Sequence, residues 1–252
     1  MYFDTHCHLS LFKEISSTIA KAKAQSVNFI LAVSMYYADN WKVLELANKY
    51  KEVIPALGIH PIEAANITNF EEKLDRIKRL VSENGVFTIG EIGLDRYFIK
   101  EKLLWERQET ILRHFLDFAV KNELTVNLHG KDAEKQLFEV LSQYDLKIVV
   151  VHWFAGSQKL IKEGINRGYY FSITPAISYS KKMRDVVELV PLEQLLSESD
   201  GPVKYKGKSP FIGEPALMQN VITEIARIKQ HDRADVEHLL YKTAERIFLR
   251  KK

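Results

Sequence analysis

Short apolar runs rich in β-branched residues alternate along this chain with stretches whose hydrophobic residues recur at helical spacing. The runs lie at 2–6, 27–33, 53–58, 86–91, 124–129, 147–152, 169–173 and 195–199, and each predicts a strand. Amphipathic helices are predicted between them at 13–25, 38–50, 70–83, 101–122, 131–143, 157–166 and 181–190, with two more at 215–230 and 233–250. Strands alternating with helices require parallel pairing through crossover connections. Eight such strands fit an open doubly wound sheet or a closed α/β barrel. Polar, chemistry-capable residues stand where nearly every run ends. That favours the TIM (β/α)8 barrel, whose active sites occupy the C-terminal mouth.

The first run passes through Asp4 and Thr5 into His6, Cys7 and His8. Side chains two apart on an extended segment share a side, so His6 and His8 can offer two imidazoles to one cation. Cys7 points the other way and reads as a small buried filler. The third run delivers His60 followed by Pro61, the fourth Glu91, the fifth His129, the sixth His152 and the eighth Asp200. Only His114, His231 and His238 of the 8 histidines fall elsewhere. Taken singly, a histidine after a strand can be a satisfied rim residue, and Glu91 can be a loop ion-pair partner. Closing the sheet gathers these ends in one mouth, where the groups would stay desolvated or repel without a cation. The set therefore predicts two divalent metal ions with one carboxylate bridging them. Mixed imidazole and carboxylate ligands accept zinc, manganese or magnesium.

At 252 residues with 46% hydrophobic content, the chain can bury a barrel core, and no Ser-, Pro- or Gly-rich tract marks a boundary. Residues 1–252 are expected to form one domain. With 36 basic and 33 acidic residues, any electropositive site must be local. Gly90 and Gly93 flank Glu91 without the third glycine of a dinucleotide fingerprint. No apolar run approaches the roughly 18 residues of a membrane span, and no charged start leads into a hydrophobic signal segment. With Cys7 as the sole cysteine, a cytoplasmic protein without an internal disulfide is expected. Lys204, Lys206 and Lys208 would share one side if extended and could track a phosphate backbone, with Tyr205 stacking on a base; a solvated loop is the alternative. Trp153 and Phe154 stay open between rim packing and a stacking platform.

These residues resemble the TatD-type deoxyribonuclease family of the amidohydrolase-like barrel class. The motifs are Asp-Thr-His-Cys-His at 4–8, Gly-Ile-His-Pro at 58–61 and Gly-Glu-Ile-Gly-Leu-Asp at 90–95. Leu-His-Gly-Lys-Asp-Ala at 128–133, His-Trp-Phe-Ala-Gly-Ser at 152–157 and Glu-Ser-Asp-Gly-Pro at 198–202 follow in the family's order. The resemblance implies one metal held by His6, His8, Glu91 and Asp200, and a second held by Glu91, His129 and His152, with His60 facing the substrate. It implies DNA, single-stranded or at duplex ends, as substrate, hydrolysed by a water whose pKa the metals lower, with Asp200 handling its proton. The chain departs from many members at Gly130 and Lys131, where they carry Ser-Arg, and at Trp153, Glu245 and Phe115, where they carry Cys, Asn and a helix Gln. Lys131 replaces a bidentate phosphate fork with a point charge, which bears on substrate geometry rather than reaction type. An amidohydrolase, lactonase or phosphotriesterase-like enzyme acting on a small molecule is the alternative on this scaffold. Its relatives commonly bridge the metals with a carboxylated lysine, where this chain has Glu91.

Overall fold

The first strand, β1, runs Tyr2–Cys7 in a computed structural model that describes residues 1–207 and 209–249. It is followed by α1 (Ile15–Ala24), β2 (Val27–Val33), α2 (Asp39–Lys49), β3 (Val53–Ala56), a short α3 (Pro61–Ala64), α4 (Phe70–Glu83) and β4 (Thr88–Asp95). Then come α5 (Lys102–Lys121), β5 (Thr125–Lys131), α6 (Glu134–Leu141), β6 (Ile148–Val151), α7 (Gln158–Asn166), β7 (Tyr170–Ile173), α8 (Lys181–Leu189) and β8 (Leu195–Ser197). A hairpin of β9 (Lys204–Tyr205) and β10 (Phe211–Ile212) precedes α9 (Met218–Lys229) and α10 (Arg233–Phe248). The eight expected strands are all present. Residue 250, expected at the end of the last helix, lies outside the described residues.

Strands β1 to β3 pair in parallel, as do β4 to β8. Two seams close these arcs into a TIM barrel. At the first, Leu57 bridges Ile89, its amide donating to the Thr88 carbonyl. At the second, Thr5 Oγ1 donates to the Ser197 carbonyl over 3.0 Å and the Asp200 amide to the His6 carbonyl over 2.9 Å. Phe3, Leu31, Ala56, Val150 and Leu196 pack with Tyr241, Ala244 and Ile247 of α10. These strand residues precede the rim side chains, so α10 covers the end opposite the mouth.

Helix starts follow the capping chemistry of the sequence. Ser157, Ser180 and Asp232 accept from amides of the first turns of α7, α8 and α10, where their side chains replace missing intrahelical partners. The helix expected from residue 13 starts only at Ile15, after a 3-10 turn at Leu9–Leu11, and α9 begins after another at Pro215–Leu217. Strand β4 differs most from expectation. It begins at Thr88 and continues through Asp95, with a register shift between Ile89 and Ile92. Glu91 therefore sits at an irregularity inside the strand rather than at its end.

Beyond it, Gly93 pairs with His129 at φ +148°, and a Cβ there would stand 2.0 Å from the His129 carbonyl oxygen. Only glycine permits this approach, which brings the His129 strand against the Glu91 strand.

Candidate metal centre

His6, His8, Glu91, His129, His152 and Asp200 converge at the C-terminal mouth, all buried. Glu91 is the hub. Its Oε2 stands 3.3 Å from His6 Nε2 and 3.2 Å from His8 Nε2. Its Oε1 stands 2.8 Å from His129 Nδ1 and 3.1 Å from His152 Nε2. Asp200 Oδ1 closes the first side, 3.6 Å from His6 Nε2 and 3.5 Å from His8 Nε2.

Hydrogen bonds behind the imidazoles fix their tautomers. His6 Nδ1 lies 2.8 Å from Asn127 Oδ1, His8 Nδ1 3.3 Å from the Val33 carbonyl, and His152 Nδ1 3.1 Å from Glu198 Oε1. Each partner is an acceptor, so each Nδ1 carries a hydrogen, and whenever the ring is neutral its Nε2 turns a lone pair toward the mouth. His129 is held through its other nitrogen, with Nε2 2.9 Å from Asp95 Oδ2, leaving Nδ1 for the centre. Lone pairs thus face carboxylate oxygens. His6 Nε2, Glu91 Oε2 and Asp200 Oδ1 are buried without any hydrogen-bond partner. Such a set of mutually facing acceptors is costly unless a cation sits among them, and imidazole nitrogen with carboxylate oxygen suits a divalent metal. The residues fit the expected group.

His60 is set up the opposite way. Its Nδ1 accepts the Ile62 amide at 3.1 Å, an N-cap for α3, so the neutral ring carries its hydrogen on Nε2. That Nε2 lies 3.3 Å from His129 Nδ1 and 3.6 Å from Glu91 Oε1. Burial holds His60 well below the usual imidazole range, so it stays a neutral donor.

Charges in the metal-free centre are mutually dependent. Burial opposes a charged Glu91, but the imidazoles gathered around it outweigh that cost and hold the carboxyl well below its usual range. Burial likewise opposes a charged His152, yet Glu198 and Glu91 lift it well above the imidazole range. Burial raises Asp200, against the pull of His152, His6 and His8. Burial also pushes Asp4 up to about 8, although the Ser199 hydroxyl and amide and the His6 amide donate to it. Asp4 ties β1 to the turn that carries Asp200. Trp153 and Asp200 adopt left-handed backbone, at φ +38° and +45°, two residues after β6 and three after β8.

Other expected residues divide. Lys131 is half-buried on the rim, two residues after His129. Lys204 and Lys206 are exposed on one side of β9 and its continuation, whereas Lys208 lies outside the described residues. Tyr205 cannot stack on a base. It is wholly buried, donates its hydroxyl to the Ser199 carbonyl at 2.9 Å and packs between Trp153 and Phe211. The same alternation that exposes the lysines sends Tyr205 inward. Phe154 is buried against Phe138 and Phe171, which settles it as packing.

The sequence reading missed the supporting residues Asn127, Asp95, Glu198 and Gln108. Asn127 precedes His129 by two, and Glu198 precedes Asp200 by two, so strand alternation already placed them toward the same side. Glu198 also accepts from the Trp153 amide and the Ser172 hydroxyl. Phe115 is core, but α5 does supply a buried glutamine two turns earlier: Gln108 accepts the Asp95 amide and donates to the Pro61 carbonyl.

A closed (β/α)8 barrel with a buried imidazole and carboxylate cluster in its mouth defines a metal-dependent hydrolase of the amidohydrolase-like class. The TatD related DNase family model matches residues 3–249, and the chain belongs to that family. It is 29% identical to the Bacillus subtilis protein named uncharacterized metal-dependent hydrolase YabD, over 98% of this chain and 99% of that one. It is 28% identical to human deoxyribonuclease TATDN3, over 79% of this chain and 77% of the relative. The crystal structure of YjjV, a TatD homolog from Escherichia coli K12, superposes with a TM-score of 0.89 at 26% identity, covering 99% and 98% of the two chains.

Proposed function

We propose that this hydrolase is a deoxyribonuclease acting on DNA phosphodiester bonds, as a single strand or at duplex ends. In this reading His6, His8, Glu91 and Asp200 would hold one divalent cation, and Glu91, His129 and His152 a second. The observation that carries it is the division of Glu91: each carboxylate oxygen faces its own set of nitrogen lone pairs. Bound cations would neutralise phosphoryl oxygens and bring the pKa of water toward neutrality. Zinc, manganese and magnesium are the ions to compare.

The chain's own groups supply the remaining roles. The Asp200 carboxylate orients the attacking water and takes its proton. His60 Nε2 donates to a nonbridging phosphate oxygen, where charge develops during attack. Lys131, Lys204 and Lys206 meet flanking phosphates, and the same role is proposed for Lys208. The human relative's name as a deoxyribonuclease supports this substrate class. Among the described residues no helix is long and apolar enough to cross a membrane, and we assign residues 1–252 to one cytoplasmic catalytic domain.

The test is an assay of single-stranded DNA beside chromogenic ester and lactone substrates, with each metal added separately. DNA cleavage with negligible ester and lactone turnover is expected; the reverse selectivity would replace the reading with a small-molecule hydrolase. Log affinity for DNA should fall linearly with log salt, and each of Lys204→Ala and Lys206→Ala should remove roughly one unit of slope.

A further inference from the structure

Two large aromatic side chains stand exposed beside the centre on a loop that is otherwise well held. Tyr97 is 48% and Phe98 57% exposed, and their rings meet edge to face with centroids 4.8 Å apart. The loop between β4 and α5 is anchored by its neighbours. Ile99 is buried and its carbonyl accepts from Trp105 Nε1 at 2.9 Å, and the Arg96 amide donates to the Lys131 carbonyl at 3.0 Å. The exposed rings are therefore presented by an ordered backbone.

Lys131 joins them. Its Nζ lies 4.7 Å from the centroid of Tyr97, 5.0 Å from Phe98 and 5.6 Å from Trp153. Ring faces hold the ammonium without using up its N–H donors, and among the described residues no carboxylate pairs with it. A positive charge in an aromatic rim, free of an internal anion, is suited to a phosphate with a flat group beside it.

The rim is wired to the centre through one side chain. Asp95 Oδ2 takes His129 Nε2 at 2.9 Å, while its Oδ1 accepts the Phe98 amide at 2.6 Å. Lys131 follows His129 by two residues and Trp153 follows His152 directly, so the rim and the proposed ligands share strand ends.

We propose that Tyr97, Phe98 and Lys131 form a nucleotide subsite, in which one unpaired base stacks on the exposed rings and Lys131 meets its phosphate. Trp153 forms the inner wall. A paired base keeps its faces stacked within the duplex, so the subsite selects single-stranded or frayed DNA. This rests on the nuclease reading and adds to it a contact with one base.

The probe is a short oligothymidylate with phosphorothioate linkages, scanned with a single abasic residue at each position. Its binding to the metal-loaded protein is followed by fluorescence anisotropy. Wild type should lose about tenfold in affinity when the abasic residue occupies one particular position, and should bind a blunt duplex of the same length more weakly. Tyr97→Ala/Phe98→Ala should bind intact and abasic strands equally. Tyr97→Phe should keep the discrimination, showing that the ring is what matters. Lys131→Ala should weaken both strands alike and lower the salt slope by about one. Absence of any position-dependent loss in wild type, or its survival in the double variant, would overturn the subsite. Turnover of the unmodified strand separates the two readings. Cleavage without base discrimination rejects the subsite alone, whereas discrimination without cleavage supports the subsite and rejects the nuclease.

Discussion

His6 and His152 stack ring over ring, their centroids 3.9 Å apart and their planes 14° from parallel, although one comes from β1 and the other follows β6. Two imidazolium ions would repel at this separation, so the stack is favourable when at least one ring is neutral. Each ring is held from behind at Nδ1, by Asn127 and Glu198 respectively, which turns both Nε2 atoms toward Glu91.

The backing carboxylate is expected to govern metal affinity without touching the metal. Glu198→Gln keeps an acceptor for His152 but removes the charge that makes the ring basic, and should weaken metal binding roughly tenfold. Competition against a chromogenic chelator measures this. Unchanged affinity would mean that His152 does not hold a cation.

Metal uptake should release protons, with a definite sign. In the metal-free chain His8 and His129 are raised above the ordinary imidazole value, as is His152; in each, burial opposes the charge but the neighbouring carboxylates outweigh it. Protons therefore compete with metal at neutral pH, and affinity must rise as pH climbs through and beyond 6.5, falling as the rings protonate. Calorimetry in buffers of different ionisation enthalpy counts the protons displaced. No displaced proton at pH 7 would contradict this account of the charges.

Close approach at Gly93 gives a stability prediction with an internal control. Gly93→Ala drives a Cβ to 2.0 Å from the His129 carbonyl oxygen and should cost more than about 3 kcal/mol. Gly85 also has positive φ, at +61°, but nothing within 4 Å, so Gly85→Ala should cost only about 1 kcal/mol. Urea unfolding of both variants checks the order, and equal losses would show that β4 and β5 can part without penalty.

Much of this was legible in the residues, because period-two alternation and strand ends specify where side chains point. The eight strands and the six converging groups follow from that pattern. What stayed hidden depends on partners distant in sequence. The tautomer of His60 is set by the Ile62 amide only once Pro61 starts a helical turn, and His6 finds Asn127 across the barrel. The extension of β4 past Glu91 rests on the shift between Ile89 and Ile92, for which the sequence offered only the glycines. The buried Tyr205 is different: alternation with Lys204 and Lys206 already pointed it inward.

His60 and Asp200 should fail in different ways. His60, a donor rather than a lone-pair ligand, is expected to leave both metals in place when changed to Ala while turnover falls on the order of a hundredfold. Asp200→Asn should abolish turnover and weaken one metal site. Single-turnover cleavage measured beside metal stoichiometry separates them. Loss of a metal in His60→Ala would make His60 a ligand and redraw the site.

The proposed division of Glu91 between two cations is tested most directly by elemental analysis of wild type and Glu91→Gln, run alongside cleavage of single-stranded DNA. Two ions per chain and cleavage are expected for wild type, with at most one ion and no cleavage for the variant. Full two-ion occupancy in Glu91→Gln, or a metal-loaded wild type that leaves DNA intact, would contradict it.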